Sequence, residues 1–136
     1  MSDAPRAFGG RERTIDQAAI RRYADASGDF NPIHLDEAFA AQTPFGGTIA
    51  HGMLLLAYIG DMLAERFGSA WLTGSALKVR FRAPARPGDR VLARGRIERV
   101  EDGAAGERRA VCAVECVNDR GDLLITGEAR VLVADE

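Results

Sequence analysis

Hydrophobic positions in this chain change their period near its middle: helical spacing up to about Gly68, strand-like alternation beyond it. A first helix is predicted after Thr14, with Asp16 and Gln17 in its first turn. It runs to about Ala26 on an apolar stripe of Ile20, Tyr23 and Ala24. Ser27-Gly28 ends it. Residues 28–34 then hold Gly, Asp, Asn and Pro, which is loop chemistry. A short helix over residues 36–41 follows, and then a second loop with Pro44, Gly46 and Gly47. The main helix is predicted from residues 50–52 to Phe67, with Gly68 as its C-terminal cap. Its first two turns, residues 53–59, are apolar on every side, and a helix apolar all round is a buried one. Asp61, Glu65 and Arg66 restore polarity only toward the far end.

Four strands are predicted over residues 71–82, 91–100, 109–117 and 123–133. The connections between them are short. Pro87-Gly88 suits a type II turn, and residues 102–106 and 118–122 are polar and contain glycine. Such links join antiparallel neighbours. No repeat or low-complexity linker divides the halves, so residues 1–136 are expected to form a single α+β domain, an antiparallel sheet curled around one helix.

Composition narrows the function. A chain of 136 residues can bury a real core, and 46% hydrophobic with 28% charged residues is ordinary for a globular protein. A formal net charge of −2 offers no overall basic field to gather phosphates, which argues against nucleic acid as the main partner. Residues 53–59 form the longest apolar run, too short to span a bilayer. The N-terminal segment carries Asp3, Arg6, Arg11, Glu12 and Arg13 and no apolar stretch of the signal-peptide kind, so a cytoplasmic protein is expected. Cys112 and Cys116 share a strand face but lie too far apart to bridge, and read as reduced core residues.

The segment SGDFNPIH, from Ser27 to His34, is the most informative. Asp29 and His34 straddle Pro32, so they do not occupy one face of a continuous helix. A tight Gly/Asn/Pro loop can nevertheless turn both side chains to a common point. Histidine titrates near neutrality and a carboxylate can hold a water, which makes the two a natural acid–base pair. In isolation, an Asp and a His in a loop are more often capping or solvated residues. Asn31 is expected to brace the loop through its own backbone hydrogen bonds. The second feature is Ala50-His51-Gly52-Met53, where the buried helix begins. A helix start presents unpaired N–H groups and partial positive charge, and glycine lets a carbonyl approach closely.

GDFNPIH followed by HLDEAFA, and then AHGM opening an apolar helix, resembles the (R)-specific enoyl-CoA hydratases and the wider MaoC-like dehydratases. The resemblance covers nearly the whole chain and implies a hot-dog fold. It implies Asp29 and His34 as the catalytic pair and the Gly52 amide as donor to a thioester carbonyl. It further implies a substrate carried on coenzyme A or an acyl carrier protein, and a homodimer or higher homo-oligomer. The reaction would be hydration of a trans-2-enoyl thioester to the (R)-3-hydroxyacyl product, or the reverse. No metal or redox cofactor is needed for it. Close relatives carry a serine about two turns after the HGM triplet, where this chain has Gly60, which puts rate and substrate range in question.

Several other residues have two readings. Phe30 and Phe45, in the two loops, are expected as pocket walls, with Asn31, His51 and Met53 beside the substrate. Lys78, Arg80 and Arg82 alternate with Leu77, Val79 and Phe81; the ordinary reading is a solvated basic face, with Arg82 and Arg86 the better phosphate candidates because they approach a turn. His51 with Asp29 and His34 makes a weak metal signature, and a loop-bracing hydrogen bond is its expected role. Trp71, Phe81 and Tyr58 could line an acyl tunnel, although core packing is the commoner fate. Asp61 and Glu65 read as a solvated face. A hot-dog thioesterase, which the Asp-x-Asn-Pro-x-His loop disfavours, and a non-catalytic or heterodimeric subunit are the alternatives; a chain that keeps both Asp29 and His34 is expected to be the active partner of such a pair or a homodimer.

Overall fold

The computed structural model describes residues 6–133. A six-stranded antiparallel sheet, in the order β1-β4-β5-β6-β3 with β2 also on β4, curls around the long helix α4. The strands are β1 (Ala7–Gly9), β2 (Arg13–Thr14), β3 (Ala76–Phe81), β4 (Arg90–Asp102), β5 (Arg108–Asn118) and β6 (Leu123–Val133). The helices are α1 (Gln17–Ser27), α2 (Pro32–Leu35), α3 (Glu37–Ala41), α4 (Gly52–Phe67) and α5 (Ser69–Leu72). A sheet wrapped on a single helix is the hot-dog arrangement that the resemblance implied.

The core forms where α4 meets the concave face. Leu54, Leu55, Ile59, Met62 and Leu63 project from α4 into a cluster with Val91, Ala93, Cys112, Val114, Cys116, Ile125 and Ala129. Alternation puts Ala110, Cys112, Val114 and Cys116 of β5 on the inner face, while Arg94, Glu115, Lys78 and Glu128 stand on the outer one. Both cysteines are free and buried, and desolvation pushes each thiol up to about 11. Neither should react with a thiol reagent at pH 8 while the protein is folded, and both should react once it is denatured. Native-state labelling at pH 8 would contradict this packing.

Local chemistry accounts for the joints. Asp16 is the N-cap of α1, just outside its first turn, and accepts from Ala19 N–H at 2.7 Å. Gly28 ends α1 at φ 79° and donates its N–H to Ala24 O, a left-handed cap that glycine adopts without strain. The Arg86-Pro87-Gly88-Asp89 turn closes through Asp89 N–H to Arg86 O at 3.0 Å, with Gly88 at φ 98°, as a type II turn requires. Buried Asp89 secures this turn, accepting from Arg86 N–H and from Arg120 Nη1.

Five expectations are corrected. The link through Pro87-Gly88 does not join antiparallel neighbours: β3 pairs with β6 and β4 with β5, so this connection crosses from one edge of the sheet to the other side. Trp71 lies in α5 and the strand begins only at Ala76, so the predicted strand over residues 71–82 is shortened. The half expected to be helical opens with β1 and β2, short strands that pair with β4. His34 lies in a one-turn helix, α2, instead of a loop: Pro32 at its start pre-sets the backbone and Asn31 caps it. Finally, α4 is not buried all round, because Met53 (56% exposed) and Ala57 continue the open stripe that Asp61 and Glu65 share.

Candidate active site

Asp29 follows the Gly28 cap directly, so the end of α1 aims it. Its Oδ1 accepts from Asn31 N–H at 3.2 Å, which turns the chain sharply, and Oδ2 is left facing His34. Asn31 Oδ1 accepts from Ile33 N–H at 3.1 Å. Asn31 therefore braces the loop, and this cap, with no contact of its own to the cavity, is what the structure gives in place of a substrate-binding role. The outcome is a separation of 3.8 Å between Asp29 Oδ2 and His34 Nε2, with side chains 51% and 12% exposed respectively. That is too long for a direct hydrogen bond and suits one water touching both groups. The requirement that the carboxylate and imidazole converge is met.

The tautomer of His34 follows from its other nitrogen. Nδ1 lies 2.8 Å from the carbonyl oxygen of Ile49, which can only accept, so Nδ1 carries the proton. Nε2 then presents a lone pair toward Asp29. A network that sequence reasoning missed holds α2 in place: Gln17 Nε2 donates to His34 O at 2.8 Å, and the Thr48 hydroxyl sits 3.0 Å from both Gln17 Oε1 and Glu37 Oε2. Thr48 is buried. A polar residue that must be paired once buried is a signal legible only after folding.

Gly52 is the first residue of α4, so its N–H has no acceptor within the helix. A cavity of about 290 Å³ opens there, its walls including Phe45, Ile49, Ala50, Gly52, Phe81 and Arg82. Ile49 joins the two parts, lining the cavity with its residue and accepting from His34 with its carbonyl. A Cβ on Gly52 would lie 2.9 Å from the Phe81 ring. Gly52→Ala should therefore push Phe81 into the cavity, raising KM for an acyl substrate several-fold while shifting the melting temperature little, because Phe81 is 55% exposed and can move. Steady-state kinetics with a short acyl thioester would check this, and an unchanged KM would count against Gly52 as a wall of the site.

The remaining expected site residues divide. Phe45 and Arg82 line the cavity, although Arg82 Nε also donates to Thr126 Oγ1 at 2.9 Å. Phe30, Met53, His51 and Arg86 are not among its walls. Phe30 and Met53 are exposed large apolar residues. Arg86 turns its guanidinium to the carbonyl of Phe45, tying two loops together, so the structure does not free it for phosphate. His51 is buried and donates Nε2–H to Asp29 O at 3.0 Å, the loop-bracing bond expected of it. Phe81 proves to be a wall, whereas Trp71 and Tyr58 pack on the core. Burial pushes the Tyr58 phenol up, and Arg13 stacks over its ring at 4.7 Å. Nothing lies within 4 Å of a Cβ built on Gly60, so a serine would fit there and packing does not demand the glycine.

One ligand atom from each of Asp29, His34 and His51 falls within 4.8 Å of the others. The two imidazoles, however, stack at 3.8 Å with planes 24° apart. Lone pairs lie in the ring planes, so stacked rings send theirs side by side instead of onto one ion. A larger, open hollow of about 620 Å³ beside β1, β4 and β5 is lined by Phe8, Arg94 and Glu115 and shares no wall residue with the cavity at Gly52.

Residues 5–117 match the MaoC like domain family, and the chain belongs to it. It is similar to the 3-hydroxybutyryl-CoA dehydratase of Methylorubrum extorquens, at 36% identity over 90% of this chain and 75% of that one. It is also similar to the (R)-specific enoyl-CoA hydratase of Aeromonas caviae, at 38% identity over 84% of this chain and 83% of that one. The solved (R)-hydratase from A. caviae superposes with a TM-score of 0.81 at 29% identity, covering 98% of each chain. The protein is thus a hot-dog enzyme of the hydro-lyase kind, with hydratase or dehydratase activity. Among the described residues no helix is long and apolar enough to cross a membrane.

Proposed function

We propose that this chain adds water to trans-2-enoyl-CoA to give (R)-3-hydroxyacyl-CoA, or runs the reverse dehydration, with Asp29 and His34 activating the water. The observation that carries this reading is the 3.8 Å gap between Asp29 Oδ2 and His34 Nε2, with the His34 lone pair turned into it. A water in that gap donates one hydrogen bond to Nε2 and one to the carboxylate. As its oxygen bonds to C3, a proton passes to the pair and the C2–C3 π electrons shift toward the thioester carbonyl. The Gly52 N–H at the start of α4, aided by the helix dipole, stabilises the enolate oxygen. The pair then returns a proton to C2. Water's hydrogen and hydroxyl have been added across the double bond, and no electrons leave the substrate.

The acyl part fits the cavity walled by Phe45 and Phe81. Coenzyme A is the carrier named in the two relatives, and Arg82 at the rim supplies a cation for its phosphates. A second copy of the chain completes the assembly. Support for that comes from the open stripe of Met53 and Ala57 and from β3, an edge strand of the sheet.

Purified protein mixed with crotonyl-CoA tests the reaction. Loss of the enoyl absorbance without release of thiol, and a product of R configuration, are expected. Release of free thiol would make the chain a thioesterase. Unchanged substrate across enoyl esters from short to medium length would overturn the reading in favour of a heteromeric or binding subunit.

A further inference from the structure

His51 is a buried histidine that the proposed reaction does not use. It occupies the N-cap of α4, where Ser, Thr, Asp or Asn would normally bond an exposed helix N–H, and its side chain makes no such bond. Its ring instead reaches back to the loop after α1, donating Nε2–H to the Asp29 carbonyl at 3.0 Å. The carbonyl can only accept, so the proton of the neutral ring sits on Nε2, and Nδ1 is left buried without a partner. One face of the ring lies on His34, with centroids 3.8 Å apart and planes 24° apart. Tyr23 packs on it as well, at 4.8 Å and 58°. Beyond it in the chain comes Gly52.

The His51 side chain therefore bonds the carbonyl of Asp29 and stacks on the ring of His34, both some twenty residues earlier in the chain, while its backbone leads directly into Gly52 at the start of α4. An unpartnered buried nitrogen is a cost that a residue chosen only to fill space would not carry. The geometry points to His51 as a positioning residue of this site, one that sets the Asp29-to-His34 gap and, by forgoing the cap, leaves the α4 amides open to a substrate oxygen. This rests on the hydratase reading above. Misplacing a reacting group by about 1 Å can cost about 100-fold in rate, so small displacements at His51 matter.

Three variants separate its two contacts. His51→Gln keeps a donor for Asp29 and loses the stack, His51→Phe keeps the stack and loses the donor, and His51→Leu lacks both. With crotonyl-CoA, His51→Leu should lose about 10- to 100-fold in kcat with KM changed less than about threefold. Gln and Phe should each recover part of that loss, and melting temperatures should not follow the order of activity. A wild-type kcat in His51→Leu, a loss confined to KM, or activities that simply track melting temperature would overturn the assignment. Long-range nitrogen–proton NMR of the wild type supplies a readout independent of turnover. It should place the proton on Nε2 of His51 and on Nδ1 of His34, and a proton on Nδ1 of His51 would refute the contact. An inert wild type would refute the hydration reading, whereas the nitrogen signals would still report whether His51 donates from Nε2 to Asp29, so the two failures are distinguishable.

Discussion

Asp29→Asn and His34→Ala should each lower turnover of an enoyl thioester by about 100-fold or more, the contribution expected of positioned acid–base groups. The two changes act differently. Asparagine keeps an oxygen to accept from Asn31 N–H, so the loop should hold its shape while the negative charge beside His34 is lost. Alanine at position 34 removes Nε2 and the bond from Nδ1 to Ile49 O together. Asp29 is half exposed and α2 is held by Gln17 through the main chain, so both proteins should fold. Their melting temperatures should stay within about 5 °C of the parent, since each change is worth about 1 kcal/mol or less to the fold. Because the pair acts as a unit, the double variant should be little worse than either single one. Parent-like rates in either variant would remove the pair from the chemistry.

The largest effect on stability is expected from Ile59→Ala. Ile59 is fully buried at the centre of α4, against the inner faces of the sheet. Truncation loses the transfer energy of the removed carbons and leaves a cavity, together about 2–5 kcal/mol. A domain of this kind is stable by roughly 5–15 kcal/mol, so this one change removes a large share. The melting temperature should fall by about 10 °C or more. Glu65→Ala, on the open stripe of the same helix, should change stability by no more than about 0.5 kcal/mol. Thermal denaturation of both proteins checks the contrast. Equal melting temperatures would mean that α4 does not pack as described.

Much of the site was legible because its geometry is local. Gly28 at positive φ, Asn31 as a cap and Pro32 at a helix start act over a few residues, and the spacing of residue types announces them. Even there the reading was imperfect: a proline that favours an extended neighbour before it also opens a helix after it, so His34 stands on α2. The apolar run opening α4 was read as burial all round. Apolarity states what a residue would prefer, and Met53 and Ala57 remain open within one chain. Trp71 was assigned to the start of a strand, yet it lies in α5, where it packs against the core.

From its sequence alone the protein had determined its α+β class, the antiparallel pairing of β4, β5 and β6 in chain order, the existence of the central helix α4 and the nearness of Asp29 and His34 within one short segment. Each depends on periodicity or on residues a few positions apart. The tertiary structure alone decided which segments meet. It paired β1 and β2 with β4, bound Arg86 to the Phe45 carbonyl, made Phe81 a wall beside Gly52, and stacked His51 on His34. Such contacts join residues far apart in the chain, and their energies exist only once the sheet has closed around its helix. No local preference can encode them singly.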